Sequence, residues 1–482
     1  MIDLTLAELA RLVGGRLHRA TGDERITGTV EFDSRAVGPG GLFVALPGER
    51  VDGHAYAATA AAQGAAGVLA AREVDAPAVV VDPTPGTHAG YVLEADHDGS
   101  GAAVLTALQR LARHVVDTLV ATTGLAVVGI TGSSGKTSTK DLVAALLERD
   151  GPTVAPPGSF NNELGHPWTA LRAMTTTRHL VLELSARGPG HIAALCRVAP
   201  PRVGAVLNVG SAHLGEFGSR EAIADAKGEV VEALPPAADG GVAVLGADDP
   251  VVAAMADRTT ARVVHAGRSA AAHVRAVDET LGDDGRARFR LVTAAGEADV
   301  ALRLRGAHQV DNALVAAAIA LETTGLSVAQ VADALGAAEP RSRWRMEVGE
   351  RPDGLTVLND AYNANPESMR AALTTLAAMK GRHTAVLGAM AELGPDAESA
   401  HAELGRLAAS TGLDRLVVVG EAARRTHEAA RDAGLASHLV PDAASAVEAV
   451  HAGPGDVVLV KASRSAGLET VAEALLAGEA TR

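Results

Sequence analysis

The stretch of the sequence best suited to chemistry is Gly-Ile-Thr-Gly-Ser-Ser-Gly-Lys-Thr-Ser, at residues 129–138. An apolar run over 125–130 predicts a buried strand before it, and a helical pattern over 137–147 follows it. Gly132 and Gly135 let backbone N–H groups approach an anion, and the N-terminus of a helix favours negative charge. The order strand, turn and helix therefore predicts a phosphate-binding loop.

Two side chains at the end of this turn have the chemistry to hold a nucleotide. Lys136 can reach the β- and γ-phosphates, and the Thr137 hydroxyl can bind Mg²⁺. The spacing departs from the full P-loop pattern, because Ile130 stands where that pattern has glycine. The strand–turn–helix context nevertheless favours nucleotide binding over an ordinary glycine turn. The predicted phosphate loop consists of Thr131, Gly132, Ser133, Ser134, Gly135, Lys136, Thr137 and Ser138.

Two more candidate residues follow predicted strands. Glu183 lies at the end of an apolar run over 180–184, where an acid can take a Mg²⁺ ion bound to nucleotide phosphates. His213 comes after the apolar run at 203–207. A strand-end carboxylate is often only solvated and a lone loop histidine is usually inert. Their interest therefore depends on the neighbouring phosphate loop.

Lys227 lies on the apolar face of a helix predicted over 219–234, four residues after Ile223. The ordinary interpretation is a lysine that extends its amine along the helix to water. The alternative is a desolvated lysine with a lowered pKa, whose neutral amine could react with CO₂. The resulting carbamate would resemble a carboxylate metal ligand. The residues alone leave both interpretations open.

Composition limits the class of protein. The chain has 482 residues, enough for about three domains, and its formal charge of -15 argues against nucleic acid as the main partner. Cys196 is the only cysteine, so no intrachain disulfide can form, and we expect it to be buried in a helix. The N-terminus lacks the features of a signal peptide and instead suggests a helix capped by Thr5 and Glu8. We expect a cytoplasmic protein without a membrane span.

Polar, glycine-containing segments at 94–101 and 337–343 divide the chain into an α/β protein of three predicted domains, at 1–98, 99–339 and 340–482. The middle domain is predicted to hold a parallel sheet of the P-loop type. The third alternates strands and helices, which predicts a Rossmann-like parallel sheet covered on both faces. Its strands are predicted at 384–387, 416–419 and 457–460, and its helices at 397–411, 421–433 and 443–452, with Asn365-Pro366 opening an earlier helix.

Taken together, these residues resemble the Mur ligase family of ATP-dependent enzymes that form peptide bonds. The resemblance covers nearly the whole chain, with the motifs in the family's order. It rests on the segments 131–137, 159–165, 182–184, 208–213, 226–229, 306–312, 359–368 and 461–464, and on Arg345. It implies an N-terminal domain for a UDP-linked substrate, a central ATP-binding domain and a C-terminal ligase domain.

The resemblance also implies roles for the candidate residues. Lys136 would hold ATP phosphates, and two Mg²⁺ ions would be held by Thr137 with Glu183 and by His213 with a carbamylated Lys227. The carbamate thereby becomes the preferred interpretation of that lysine. Glu183, His213 and Lys227, with Lys136, form the implied catalytic set. Further residues implied at ATP are His308, Asn312, Arg345 and Asp360.

The run Asp-Ala-Tyr-Asn-Ala-Asn-Pro at 360–366 resembles the family members that join D-alanyl-D-alanine to UDP-N-acetylmuramoyl-tripeptide. The implied reaction passes through an acyl phosphate and releases ADP and phosphate, and the expected protein is a monomer. The third residue of the tripeptide is left open. The residues implied in substrate binding are Asp33, Ser34, Arg35, Asp52, Gly53, His54, Asn161, Asn162, Tyr362, Asn363 and Asn365.

Three positions depart from the family pattern: Gln309 and Gly246 each replace an asparagine, and Asn359 replaces an aspartate. We expect altered contacts near ATP but an active enzyme. Two alternatives remain. One is another ligase of the superfamily, of the amino-acid-adding or folylpolyglutamate synthase type. The other is a P-loop NTPase switch, which would have no need for His213 and Lys227.

Overall fold

The computed structural model describes residues 2–48, 51–83, 96–210 and 214–478. The chain divides into two compact units, the first at positions 1–129, 151–185 and 191–203 and the second at 130–150, 186–190 and 204–482. The predicted domain borders at 98/99 and 339/340 stay predictions. In the part of the chain that the structure describes, no helix is long and apolar enough to cross a membrane.

The first unit opens with helix α1 (Leu6–Val13), whose N-terminal cap agrees with the sequence prediction. The Thr5 hydroxyl accepts from the Glu8 N–H, and the Glu8 carboxylate accepts from the Thr5 N–H at 2.8 Å, which completes a capping box. Gly14 ends the helix at φ 73°, a left-handed conformation that glycine adopts without strain. The other helices of this unit are α2 (Ala57–Ala62), α3 (Ser100–Thr123), α5 (Gly165–Ala170) and α6 (His191–Val198).

A five-stranded sheet in the first unit has the strand order β2-β7-β6-β5-β4. Its strands pair in parallel except β2, which is antiparallel to β7. A separate antiparallel pair joins β1 to β3. The bounds are β1 (Leu4–Thr5), β2 (Arg16–His18), β3 (Arg25–Ile26), β4 (Val30–Glu31), β5 (Leu42–Val44), β6 (Gly67–Ala70) and β7 (Ala78–Val80).

A nine-stranded sheet has the order β16-β15-β14-β13-β12-β11-β8-β10-β9. Its last three strands in the chain pair antiparallel, in a ladder that the sequence analysis did not predict. The strands predicted at 125–130, 180–184 and 203–207 are confirmed as β8, β10 and β11. The bounds are β8 (Ala126–Thr131), β9 (Thr153–Val154), β10 (His179–Glu183), β11 (Val203–Val206), β12 (Val242–Gly246), β13 (Arg262–Gly267), β14 (Val274–Leu281), β15 (Arg286–Thr293) and β16 (Gly296–Arg305).

The helices of the second unit that precede residue 340 include one buried on almost every side. From Val310 to Ala320, α10 exposes only Asp311, so it acts as a core helix rather than an amphipathic one. It packs against α4, the helix that follows the phosphate loop. The bounds are α4 (Lys136–Leu147), α7 (Leu214–Phe217), α8 (Arg220–Glu232), α9 (Pro250–Ala253), α10 (His308–Thr323) and α11 (Val328–Ala337).

The C-terminal part of the second unit contains a six-stranded sheet of order β17-β18-β22-β19-β20-β21, in which only β17 is antiparallel. Its helices are α12 (Pro366–Ala378), α13 (Ala397–Ser410), α14 (Arg424–Asp432), α15 (Ala443–Val450) and α16 (Glu469–Ala477). Its strands are β17 (Glu347–Glu350), β18 (Thr356–Asn359), β19 (His383–Leu387), β20 (Arg415–Val419), β21 (Ser437–Val440) and β22 (Val457–Lys461).

Alternate residues of each C-terminal strand enter separate cores, as the period of two in a strand requires. Leu416 and Val418 pack with α12 and α13, whereas Val417 packs with α15 and α16. The predicted sheet with helices on both faces is therefore confirmed. Asn365 caps α12 by accepting from the Ser368 N–H at 2.8 Å, with Pro366 in the first turn, as predicted. Cys196 is buried in α6, also as predicted.

A buried ion pair fixes the carboxyl edge of this C-terminal sheet. Lys461, at the end of β22, donates from Nζ to Asp360 Oδ2 at 2.6 Å and to the Asn363 carbonyl at 2.8 Å. Asp360 Oδ1 accepts from the Met346 N–H at 3.0 Å. Burial lowers the pKa of Lys461, and the Asp360 carboxylate partly offsets that shift. The pair thus joins the loop at 360–366 to the segment around Met346.

Replacing Lys461 with Met should destabilise the protein by about 3–5 kcal/mol, because the Asp360 carboxylate would stay buried without its cation. Urea denaturation of the full chain measures the loss. The matched control is Arg382→Met, which removes a 2.7 Å pair with Asp456 whose Arg382 side chain is 69% exposed, and which should cost about 1 kcal/mol or less. Equal, small losses in the two variants would contradict the assigned role of the buried pair.

Candidate active site

The phosphate loop is built by a strand and a helix, as predicted. β8 ends at Thr131 and α4 begins at Lys136, so the turn occupies 132–135. Gly135 caps the helix at φ 81°, where a side chain would be strained. Ile130 is fully buried within β8. The residue that stands in place of a P-loop glycine is therefore part of the strand, and the turn in this chain starts later.

The Asn208 side chain, just beyond the end of β11, holds this turn in place. Its Oδ1 accepts from the Ser133 and Ser134 N–H groups at 3.1 and 3.0 Å, and its Nδ2 donates to the Ser134 carbonyl at 3.2 Å. The Ser133 hydroxyl in turn accepts from the Gly210 N–H at 2.8 Å. Sequence reasoning did not assign Asn208 to the site, although its place after the strand run at 203–207 was the available indication.

Lys227 is a buried lysine of the second unit whose pKa is affected by Lys136 of the phosphate loop. Lys136 donates from Nζ to the Gly132 carbonyl at 2.6 Å. Lys227 lies in α8, which Ser219 caps, and is 4% exposed. Burial, and then the positive charge of Lys136, hold the pKa of Lys227 well below its usual range. The structure therefore favours a desolvated amine over a lysine that reaches water.

Glu183 is organised within the first unit by a loop that precedes α5. Its Oε1 accepts from the Ser159 hydroxyl at 3.0 Å and from Asn161 Nδ2 at 2.7 Å, and the residue is 1% exposed. Asn162 Oδ1 accepts from the Gly165 N–H at 2.9 Å. The two asparagines implied in substrate binding thus make contacts within the protein, Asn161 to the carboxylate and Asn162 to its own turn. Their substrate role stays a prediction.

His213 lies outside the described residues. Among the residues that are described, no group of three or more His, Cys, Asp or Glu side chains is arranged to hold a metal ion. The predicted ligand set instead mixes Glu183 with a threonine hydroxyl and a modified lysine. It stays a prediction.

A cavity of about 320 Å³ opens in the second unit where β11, β12 and β13 end beside α10. Asn312, which the resemblance places at ATP, lies in its wall, as does Gly246. A Cβ added to Gly246 would lie 2.3 Å from the Leu207 carbonyl oxygen, so the backbone leaves no room for the asparagine common in the family. The other lining residues are Leu207, Asn208, Asp248, Asp249, Ala266, Arg268, Asp311 and Val315.

A chain of hydrogen bonds joins α4 to the start of α10. Thr139 Oγ1 donates to Asn312 Oδ1 at 3.2 Å, and Asn312 Nδ2 donates to Gln309 Oε1 at 2.9 Å. Gln309 Nε2 lies 3.1 Å from His308 Nε2, and burial lowers the pKa of His308 to about 4. A neutral His308 can accept that bond. Gln309, one of the departures, therefore links two of the residues implied at ATP, His308 and Asn312.

The loop at 360–366 meets the phosphate loop inside the second unit. Asn365 Nδ2 donates to the Ser133 carbonyl at 3.4 Å. The Arg345 guanidinium lies 4.2 Å from the centre of the Tyr362 ring, and its Nε is buried without a hydrogen-bond partner among the described residues. Asn363 Oδ1 accepts from the Ala364 N–H at 2.9 Å. The third departure, Asn359, accepts from the Ala361 N–H at 3.3 Å.

The substrate residues predicted in the N-terminal segment form two separate groups. Arg35 donates to Asp33 through Nε and Nη2 at 2.9 and 2.8 Å, which lowers the pKa of Asp33 to about 2. His54 Nδ1 lies 2.6 Å from Asp52, and its Nε2 accepts from the Ala71 N–H at 3.0 Å. Both ring nitrogens of His54 are thus used within the protein. Ser34 is half-buried, and a Cβ on Gly53 would lie 2.7 Å from the Leu46 carbonyl oxygen.

Comparison with known proteins agrees with this arrangement. Three family models match: the Mur ligase family catalytic domain over 27–113, the Mur ligase middle domain over 130–320, and the Mur ligase glutamate ligase domain over 344–464. The UDP-N-acetylmuramoyl-tripeptide–D-alanyl-D-alanine ligase of Mycobacterium tuberculosis H37Rv is 55% identical, with 99% of each chain covered.

Solved structures are similar over almost the full length as well. A crystal structure of MurF from Acinetobacter baumannii has a TM-score of 0.84 at 29% identity, with 99% of each chain covered. MurF ligase from Thermotoga maritima, in complex with ADP, has a TM-score of 0.75 at 28% identity, covering 94% of this chain and 98% of that one. With three matching domains and a full-length relative of this identity, the chain belongs to the Mur ligase family.

Proposed function

We propose that this protein is an ATP-dependent ligase that joins D-alanyl-D-alanine to UDP-N-acetylmuramoyl-tripeptide and releases ADP and phosphate. The observation that supports it most is the hydrogen bond from Asn365 to the Ser133 carbonyl. It joins the loop at 360–366, implied in substrate binding, to the loop implied in ATP binding. A nucleotide switch would not need that connection. The relative that is 55% identical has the name of this activity, and the Thermotoga maritima ligase was solved with ADP.

The reaction has two steps. The terminal carboxylate of the tripeptide attacks the γ-phosphate of ATP, which forms an acyl phosphate and expels ADP. The amine of D-alanyl-D-alanine then attacks the acyl carbon, loses a proton, and expels phosphate as the amide forms. Both attacking and attacked groups are anionic in the first step, so the site must supply positive charge. Lys136 at the turn and Arg345, stacked on Tyr362, are the side chains we assign to that task.

The oxygen donors in the predicted metal set are of the kind that Mg²⁺ prefers. Thr137 offers a hydroxyl oxygen and Glu183 a carboxylate oxygen, and the latter is kept in one orientation by Ser159 and Asn161. We propose that these two hold one ion, and that His213 with a carbamylated Lys227 holds a second. Bound Mg²⁺ would neutralise charge on the phosphates.

The surroundings of Lys227 support the proposed carbamate. Its neutral amine adds to CO₂, forming an N–C bond and releasing one proton, so the side chain changes from a potential cation to an anion. Lys136 disfavours the protonated amine by repulsion, and the same charge would attract the carbamate. The modification therefore removes a repulsion and creates an attraction at one position.

The activity is tested by measuring ADP release over a matrix of UDP-muramoyl peptides and amine acceptors. We expect turnover only when both UDP-N-acetylmuramoyl-tripeptide and D-alanyl-D-alanine are present. Turnover with a single amino acid as acceptor would indicate an amino-acid-adding ligase of the same superfamily. ADP release that needs neither substrate would support the NTPase switch and reject the ligase.

Lys136→Ala should lower kcat for ADP release by at least about a hundredfold, because the charge that faces the phosphates is lost. Steady-state kinetics with saturating ATP measure the effect. The control is Lys380→Ala, an exposed lysine in the C-terminal part of the chain, which should keep wild-type turnover. Near-normal activity in Lys136→Ala would reject the assignment of the phosphate loop.

Lys227→Ala should be inactive, and added short carboxylates such as acetate or formate should restore part of the activity by replacing the carbamate oxygens. Lys136→Ala serves as the control, because a carboxylate cannot replace its positive charge. Mass spectrometry in the presence of CO₂, under non-acidic conditions, should show one added CO₂ in wild type and none in Lys227→Ala. An unmodified wild-type lysine in an active enzyme would rule out the carbamate.

A further inference from the structure

Aromatic side chains are scarce in this chain, yet three of them meet at one place. The whole sequence contains 5 Phe, 3 Tyr and 2 Trp. In the first unit, Phe32 and Phe160 both contact Trp168, with ring centres 5.7 and 4.8 Å away, and lie 6.5 Å from each other. Such tilted contacts stabilise aromatic clusters beyond simple burial. These three rings are called the aromatic platform below.

The platform is held from beneath and open at one side. Trp168 is 7% exposed, donates from Nε1 to Glu31 Oε2 at 3.1 Å, and packs below the Arg172 guanidinium at 4.9 Å. Phe160, in contrast, is 37% exposed. Gly165 allows its close approach, since a Cβ there would lie 2.8 Å from Phe160 Cβ. A ring that is fixed in place and left partly in water is suited to contact a ligand.

The chain connects the platform to two polar groups with different chemistry. Phe32 directly precedes Asp33-Ser34-Arg35, and the Arg35 side chain is 86% exposed while Asp33 holds it in one orientation. Phe160 lies between Ser159 and Asn161, which both hold Glu183 Oε1. A guanidinium fork suits a diphosphate, and a carboxylate suits a cation. Two of the three rings, Phe32 and Phe160, therefore belong to the segments that bear these groups.

We propose that the aromatic platform binds the sugar ring of the nucleotide-sugar substrate, an inference that rests on the proposed function. One face of a pyranose presents mainly C–H bonds, whose positive edges pack on the negative faces of aromatic rings. In the substrate the sugar is bonded directly to the diphosphate, and the peptide leads from it to the reacting carboxylate. Arg35 would bind the diphosphate. The platform would hold the sugar between Arg35 and Glu183 and so determine how far the peptide extends towards Glu183.

Tryptophan fluorescence tests the occupant directly. In the Trp344→Phe variant Trp168 is the only tryptophan, so its emission reports the platform alone. UDP-N-acetylmuramic acid and UDP-N-acetylmuramoyl-tripeptide should both change the emission, whereas UDP should not. An equal change with UDP would place the base or phosphates on the rings. A change with the tripeptide alone would place the peptide there, and no change with a ligand shown to bind would reject any contact. Each of these three results overturns the proposal.

Kinetics separate a substrate contact from a structural one. Phe160→Ala should raise KM for UDP-N-acetylmuramoyl-tripeptide about tenfold, as expected for one lost aromatic contact, with kcat and KM for ATP unchanged. Phe160→Tyr should restore the wild-type KM. Met174→Ala, a 51% exposed apolar residue outside the platform, should have no effect. An equal loss in kcat, or a raised KM for ATP, would mean that Phe160 only supports the Glu183 loop and would overturn the proposal.

The two proposals can fail separately. If wild type releases ADP with the tripeptide and dipeptide but Phe160→Ala has an unchanged KM, the platform is rejected and the ligase stands. If wild type shows no turnover with that pair, the proposed function is rejected, and with it the sugar assignment that depends on it.

Discussion

A glycine turn must be kept in one conformation if its backbone is to receive an anion, and the Asn208 side chain supplies that constraint. Glycine-rich backbone has many accessible conformations and loses more entropy on ordering than other residues do. The Asn208 amide accepts from two N–H groups of the turn and donates to one of its carbonyls. These three hydrogen bonds restrict the turn to one conformation. Because Asn208 follows a buried strand, the sheet itself determines where the loop lies. Lys136 and the start of α4 are positioned as a consequence.

The same turn is also the point at which the C-terminal loop is joined to the nucleotide loop. The Ser133 backbone contributes an N–H to Asn208 and a carbonyl to Asn365. Asn365 is at the same time the cap of α12, and Asp360 nearby is neutralised by Lys461. A displacement of either loop would thus disturb helix capping and a buried ion pair together. This arrangement couples the position of the phosphate loop to that of the loop at 360–366.

The sequence alone predicted those elements whose hydrophobic pattern matches their burial in the structure. The strands around the phosphate loop and three of the C-terminal sheet, β19, β20 and β22, were predictable because continuous apolar runs fit strands buried on both faces. The β14–β16 ladder was missed, since its residues alternate between buried and charged exposed positions and resemble no apolar run. The site shows the same limit. Lys136 was found by its motif, whereas Asn208 and the contact of Asn161 with Glu183 depend on distances between remote segments.

The departures from the family pattern gain a physical explanation from their neighbours. Gln309 is one methylene longer than asparagine and uses that length to bond both Asn312 and His308. Gly246 is different, because a side chain there is excluded by the Leu207 carbonyl oxygen at 2.3 Å. An asparagine at 246 would require Leu207, just beyond the end of β11, to move. Asn208 follows Leu207 directly, so it would move as well. The absence of a side chain at 246 is therefore linked to Asn208, and an asparagine at 246 would disturb the hold of Asn208 on the turn at 132–135.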